Sequence, residues 1–305
     1  MKSVLITGAK GFLGTNVSKH YKGSGYRTYG IGHGKLSIKE SKEIGLDYWR
    51  EDSLSIKAFL EFRENFNVII HCGGGGSIGY SLDYPEEDYK KTVDGTIEVL
   101  EYMRKYNPES HLIYPSSPAV QGEHPDKPIE ESYVGEPVSP YGRHKKITED
   151  LCLSYSEEFG LNISIARLFS VYGNGLRKQL LWDAYKKISK AKHEVIFWGT
   201  GEETRDFIHI SDVLSLFDLL IDVKDKFLII NGGIGSRYTT RNIISMIRNL
   251  INPNINIDFD NKKNIGNPMY YCADTQKLQS YGFTSSKRLE QGIKNYIDWA
   301  RNLND

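Results

Sequence analysis

In the first half of the chain, short apolar runs alternate with longer stretches whose apolar residues recur at helical spacing. Residues 4–7 are an apolar run that ends in glycines, and 12–21 carry a helical pattern. Residues 26–31 read as a second strand, 56–65 as a helix and 68–71 as another buried strand. Residues 85–106 place Val93, Ile97 and Leu100 on one helical face, and 111–114 form the next strand. Ser139 and Pro140 suit a helix start, serine as the cap and proline in the first turn, and that helix extends to about Phe159. Residues 163–166 follow as a strand. Strands alternating with helices predict a parallel sheet covered on both faces, a doubly wound α/β fold of Rossmann type.

After Tyr172 the rhythm changes. Helices are predicted over 180–191, 213–221, 240–250 and 289–302, a strand over 227–231, and a polar glycine loop over 199–203. The expectation is a dinucleotide-binding domain over 1–172 and, over 173–305, a smaller, mainly substrate-binding lobe with elements returning to the first.

Thr7-Gly8-Ala9-Lys10-Gly11-Phe12-Leu13-Gly14 joins the first strand to the first helix. Its three glycines permit a tight turn, a backbone approach to a pyrophosphate and close helix–strand packing. Gly8, Gly11, Phe12, Leu13 and Gly14 are therefore expected at a dinucleotide phosphate. An NAD site usually has an acid about 20 residues further on, at the ribose hydroxyls. Here the segment reads Gly30-Ile31-Gly32-His33-Gly34-Lys35, without an acid. His33 and Lys35 could meet a 2′-phosphate, so NADP is expected ahead of NAD.

Tyr141 and Lys145 are four residues apart, one turn of helix, on the same face. A free phenol titrates near 10, and a neighbouring ammonium favours the phenolate. The pair can move a proton to or from an alcohol oxygen beside a nicotinamide.

Positive and negative side chains balance at 39 each, which argues against a nucleic-acid partner. No apolar run has the length of a membrane span, the N-terminus does not read as a signal peptide, and no metal site is expected. Cys72, Cys152 and Cys272 have no disulfide or zinc spacing, which suggests reduced thiols and a cytoplasmic setting.

In this order, these segments resemble the extended short-chain dehydrogenase/reductases, in particular the nucleotide-sugar epimerase/dehydratase/reductase group. The resemblance rests on the glycine loop, Glu51-Asp52, His71-Cys72-Gly73-Gly74, Pro115 to Gly122, Tyr141 to Lys145, Arg167 to Gly173, and Gly201 to His209. It implies that Tyr141 is the acid/base and that Lys145 bonds the nicotinamide ribose and lowers the phenol's pKa. Ser117 would bond the reacting oxygen, with Ser116 as the alternative serine. Asp52, Cys72 and Gly73 would line the cofactor, and Ser170, Arg177 and Arg205 the substrate, with Arg205 on a phosphate. A nucleotide-diphosphate sugar is the expected partner, and a homodimer the expected assembly.

Pro118-Ala119 stands where the family's dehydratases carry an Asp-Glu pair, so elimination is not expected. Gln121, Thr92, Ser170 and the run Gly73–Gly76 also depart from the family pattern. The first expectation is a 4-keto sugar reductase using NADP(H), with a 4-epimerase holding NAD as the alternative. A cofactor-sensing protein without turnover is the alternative of another class. The retained Ser117, Tyr141 and Lys145 argue against it.

Overall fold

The computed structural model describes residues 1–262 and 268–303. In chain order its elements are β1 (Ser3–Thr7), α1 (Phe12–Gly23), β2 (Arg27–Gly32), α2 (Ile38–Glu43), β3 (Tyr48–Glu51), α3 (Ile56–Leu60), β4 (Val68–His71), α4 (Ile78–Asp83), α5 (Pro85–Tyr89), α6 (Gly95–Tyr106), β5 (His111–Ser116), α7 (Pro140–Phe159) and β6 (Asn162–Leu168). They are followed by β7 (Ser170–Tyr172), α8 (Gln179–Lys190), β8 (Glu194–Phe197), β9 (Thr204–His209), α9 (Ile210–Asp222), β10 (Phe227–Gly232), β11 (Arg237–Thr239), α10 (Thr240–Ile251), β12 (Asn256–Phe259), α11 (Gln276–Ser280) and α12 (Leu289–Arg301).

Seven strands form one sheet in the order β10-β6-β5-β4-β1-β2-β3. The pairs β1/β2, β1/β4, β2/β3, β4/β5 and β5/β6 are all parallel. β1, β4 and the interior of β5 are buried end to end, as expected of strands covered on both faces. Strand order reverses between β1 and β4, and in open α/β sheets ligands bind at such a switch point. The register sets Thr7 beside both Ile31 and His71, so β1, β2 and β4 end together.

The predicted helix over 85–106 is present but not uniform. α5 and α6 are joined by a π-helical stretch, Lys90–Asp94, at the segment that carries Thr92. The sequence pattern missed β3, β7, β8, β9, β11 and β12, all of six residues or fewer. It also missed the short helices α2, α4 and α11. Elements this short carry too few periods to register as a pattern.

The chain forms two compact units that interleave in sequence. The first comprises 1–122, 135–167 and 214–230, and the second comprises 123–134, 168–213 and 231–305. In the second unit β9 lies between β7 and antiparallel β11, and β12 pairs with β8.

Gly14 fixes how closely α1 approaches β1. A Cβ there would fall 2.4 Å from the Gly8 carbonyl oxygen and 2.7 Å from the Ala9 Cα. Gly14→Ala gains helix propensity of about 1 kcal/mol but forces this backbone apart, and overpacking of that kind costs about 1–3 kcal/mol. The expected net result is a lower melting temperature; an unchanged or higher one would show that α1 has room to shift.

Candidate active site

The glycine loop has the geometry a dinucleotide phosphate requires. Gly8 lies at φ +62°, and a Cβ on it would sit 2.8 Å from the Cys72 carbonyl oxygen. Its N–H donates to Ile31 O at 2.8 Å, and Gly11 N–H donates back to Gly8 O at 2.9 Å. Gly11 precedes α1 in extended backbone with no side-chain cap, so the first N–H groups of the helix are left for a ligand. This cradle fits a pyrophosphate, with Phe12 and Leu13 opening the helix behind it.

A buried network fixes the loop from beneath. His71 Nε2 lies 3.0 Å from Thr96 Oγ1, and that hydroxyl's single proton goes to Thr92 O. His71 Nε2 must therefore carry the hydrogen, and Nδ1 accepts from Thr7 Oγ1 at 2.6 Å. Thr7 Oγ1 in turn accepts from Gly73 N–H at 2.9 Å. Burial pushes His71 down to about 3, so the ring is neutral throughout the physiological range. Cys72 follows on the same strand end, and burial pushes its thiol up to about 12, which leaves it an unreactive lining group.

Beyond β2, where a 2′-phosphate contact was expected, His33 and Lys35 are exposed, and Lys10 Nζ donates to Lys35 O at 3.3 Å. Asp52 takes a hydrogen bond from Arg50 Nε at 3.0 Å, and its own N–H is tied to Gly32 O.

Tyr141 stands in the first turn of α7. Ser139 caps that helix by accepting from Gly142 N–H at 3.2 Å, and Tyr141 N–H donates to Ser81 Oγ on α4 at 3.0 Å. A Cβ on Gly142 would meet the Ala119 carbonyl oxygen at 2.5 Å, so glycine lets this turn dock on the short 3-10 turn Pro118–Gln121. Docking there sets the Tyr141 phenol near Ser117, which opposes the upward push of burial on its pKa. Lys145 is buried at 6 % exposure, donates to Pro115 O at 2.9 Å and lies 4.5 Å from the centre of the Tyr114 ring. Ser117, Tyr141 and Lys145 thus converge within the first unit.

Two expectations change here. The phenol is pushed up to about 12: burial is the largest influence and Asp88 adds to it, while the Ser117 hydrogen bond opposes both. The Lys145 ammonium was expected to lower it, but that ammonium is turned to Pro115 O and is itself lowered to about 8 by burial. Ser116, the alternative serine, donates its proton to Glu149 Oε1 at 2.6 Å. Glu149 also binds Arg167 through Nε and Nη2, the latter at 2.8 Å, so Ser116 belongs to a buried ion-pair network, and Ser117 is the serine that acts on the phenol.

Sequence reasoning missed Asp88 and His144. Asp88 is fully buried on α5, and its Oδ2 lies 2.7 Å from His144 Nδ1, inside the Tyr141–Lys145 segment. The run Gly73–Gly76 was the available signal. A Cβ on Gly75 would lie 1.8 Å from Asp88 Oδ1, so only glycine clears the carboxylate.

In the second unit, Arg205 is half-buried on β9. Its Nη1 donates to Thr204 O at 2.6 Å, and its guanidinium lies 5.2 Å from the Tyr271 ring centre. Burial lowers its pKa, which marks a cation with incomplete charge compensation. The neighbouring Asp206 accepts N–H groups from Ile234, Gly235 and Ala273, which pins the backbone around Arg205. Tyr271 and His124, ring centres 5.3 Å apart, were not anticipated. Ser170 is paired to Phe207 through β7/β9. Arg177 is exposed, and its guanidinium lies 6.0 Å from the Trp299 ring centre.

Comparison with known proteins agrees with this geometry. Residues 4–232 match the model of the NAD dependent epimerase/dehydratase family. The chain belongs to that family, within the extended short-chain dehydrogenase/reductases, and is an enzyme with a nicotinamide dinucleotide cofactor of the NAD(P) type. A UDP-glucuronate 4-epimerase of Thermodesulfobacterium geofontis is 24% identical over 97% of this chain and 95% of its own length. The crystal structure of a UDP-glucuronic acid 4-epimerase from Bacillus cereus, in complex with UDP-glucuronic acid and NAD, is 25% identical, with a TM-score of 0.87 over 99% of both chains. A UDP-glucose 4-epimerase from Thermotoga maritima, solved with UDP-glucose, has a TM-score of 0.89 at 21% identity over 99% of this chain and 100% of its own, which speaks for the fold. Among the described residues, no helix is long and apolar enough to cross a membrane.

Replacing Glu149 by Gln would remove the negative charge that meets the buried Arg167 guanidinium at 2.8 Å. Stranding one half of a buried pair costs about 3–5 kcal/mol. Glu149→Gln should therefore lower the unfolding midpoint in denaturant substantially. A change under about 1 kcal/mol, the value of an exposed pair, would mean that water reaches Arg167.

Proposed function

We propose that this enzyme is a UDP-sugar 4-epimerase that works with NAD. The observation that carries the reading is the Ser117–Tyr141 contact beside the buried Lys145, in a chain whose full-length relatives are named as 4-epimerases. The reductase expectation gives way to this alternative. The preference for NADP gives way as well, because the Bacillus cereus structure holds NAD and His33 and Lys35 stand exposed, neither one built into a phosphate site.

The glycine loop holds the pyrophosphate, Asp52 the adenosine end, and Cys72 and Gly73 the nicotinamide half. A nicotinamide bound there would supply reversible hydride transfer at the sugar carbon, with the hydride returned to the opposite face of the keto sugar. Tyr141 takes the proton of the 4-hydroxyl as that carbon becomes a carbonyl, and gives it back to the oxygen afterwards. Ser117 holds the same oxygen in line with the phenol. Lys145 contributes its positive charge, which favours the phenolate in a dry site once the ammonium faces the ribose. Arg205 takes the diphosphate, where its forked donors suit phosphate oxygens, and Arg177 and Ser170 are assigned to the same ligand. Pro118-Ala119 supplies no acid for elimination, so the sugar keeps its oxygen.

The test is incubation with UDP-glucose, UDP-glucuronic acid and UDP-N-acetylglucosamine, followed by proton NMR at the anomeric position. The expected product is the 4-epimer of one of them, with no net change in nicotinamide absorbance. Stoichiometric consumption of NADPH with a 4-keto sugar, and no epimer, would restore the reductase. Tyr141→Phe should bind NAD with near-native affinity and lose about a hundredfold or more in turnover, the usual scale for removing an acid/base group.

A further inference from the structure

We propose that Asp88, held by His144, is a positioning residue that keeps the buried Lys145 side chain charged. The inference rests on the reading of Lys145 as partner to Tyr141.

A fully buried carboxylate is costly unless it is paired and hydrogen-bonded, and Asp88 meets that condition only in part. Asp88 has one bonded oxygen, Oδ2 on His144 Nδ1 at 2.7 Å. Its Oδ1 is buried with no hydrogen-bond partner among the described residues, and it faces Gly75, where a side chain would overlap it. Gly75 N–H, which could have capped that oxygen, instead donates to Thr92 Oγ1 at 2.9 Å. The chain therefore makes room for a carboxylate whose negative charge is only half neutralised. His144, which steadies it, sits between Tyr141 and Lys145 on α7 and takes the Tyr89 ring edge-on at 5.3 Å.

The titratable groups facing Lys145 from each packed element are few. Cys72 faces it from the end of β4, Glu149 and Cys152 from α7 itself, Asp88 from α5, and the Tyr114 ring from β5. His71 on β4 feels the same charge. The thiols are neutral, with Cys72 pushed up to about 12 and Cys152 higher still. Glu149 is offset by Arg167 at 2.8 Å. Asp88 is the remaining carboxylate, and it has no permanent cation bonded to it. Burial alone drags the lysine down, and Asp88 is the largest influence opposing that. The same charge pushes the Tyr141 phenol up, so Asp88 favours the ammonium at the phenolate's expense.

The experiment is an NMR titration of the cofactor-free protein with lysines isotope-labelled at the ε carbon. Loss of the signal in Lys145→Arg assigns it. The native midpoint is expected near 8. In Asp88→Asn it should fall by about one unit, as for removal of a nearby opposite charge. In His144→Gln it should rise, because the carboxylate loses the donor that offsets its field. Opposite shifts are the signature of an electrostatic role; a purely structural pair would not produce them. An unmoved midpoint in Asp88→Asn, or shifts of both variants in one direction, overturns the proposal. If Asp88→Asn fails to fold, His144→Gln decides alone, and no upward shift overturns it. If neither variant folds, the pair is structural and the proposal fails. The titration uses neither cofactor nor substrate, so its result stands apart from any failure to epimerise UDP-sugars.

Discussion

An ammonium group buried among backbone and aromatic carbon sets the terms for the rest of the first unit. Taking a lysine out of water is costly, and the structure offsets that with a carbonyl, a ring face and distant carboxylates in place of a direct ion pair. Each device depends on a particular element. Pro115, on β5, offers its carbonyl to the ammonium, and Tyr114 precedes it with its ring toward Lys145. α7 must enter at the angle that the Ser139 cap and Gly142 allow. Once the helix is seated, Tyr141 reaches Ser117, and Glu149, one turn beyond Lys145, closes on Arg167 and Ser116. The placement of the Tyr141 phenol is thus tied to how the lysine is accommodated.

The second unit solves a related problem with the signs reversed. Asp206 is a buried carboxylate with three N–H donors, and burial still pushes it up to about 6. Its work is to hold the 233–235 and 273 backbone around β9, so that Arg205 emerges with a ring on one face and backbone carbonyls beside it. Those carbonyls are weak partners for a guanidinium.

Much of this was legible in the sequence because it depends on short-range rules. Glycines at 8, 11 and 14, a serine–proline helix start and a one-turn Tyr–Lys spacing report local backbone and local faces, and each was found where expected. The buried network under the loop was not legible. Thr7, His71, Gly73 and Thr96 meet only because β1 and β4 are neighbours in the sheet although far apart in the chain. The net upward shift of the phenol was missed for a related reason. Helical spacing places two side chains on one face but does not say which way a long side chain turns, and Lys145 turned toward Pro115 O. β3 and β9 were missed because their residues are strongly polar: Tyr48–Glu51 contains Arg50 and Glu51, and Thr204–His209 contains Arg205, Asp206 and His209.

The run Gly73–Gly76 shows how a departure from a family pattern becomes interpretable once partners are known. On its own it suggested only a changed sugar pocket. Gly73 gives its N–H to Thr7 and so belongs to the cofactor loop. Gly74, at φ +157°, sits close to extended backbone. Gly75 clears space for Asp88, which the His144 ring then fixes. A glycine run, an acid on one helix and a histidine on another are unremarkable separately, yet each explains the other two. Asp88 without Gly75 would clash, and without His144 it would be a buried charge with no donor at all. Such mutual dependence is the mark of a carboxylate the fold is arranged to hold, bonded directly to His144 and acting through its charge on Lys145, the next residue of α7.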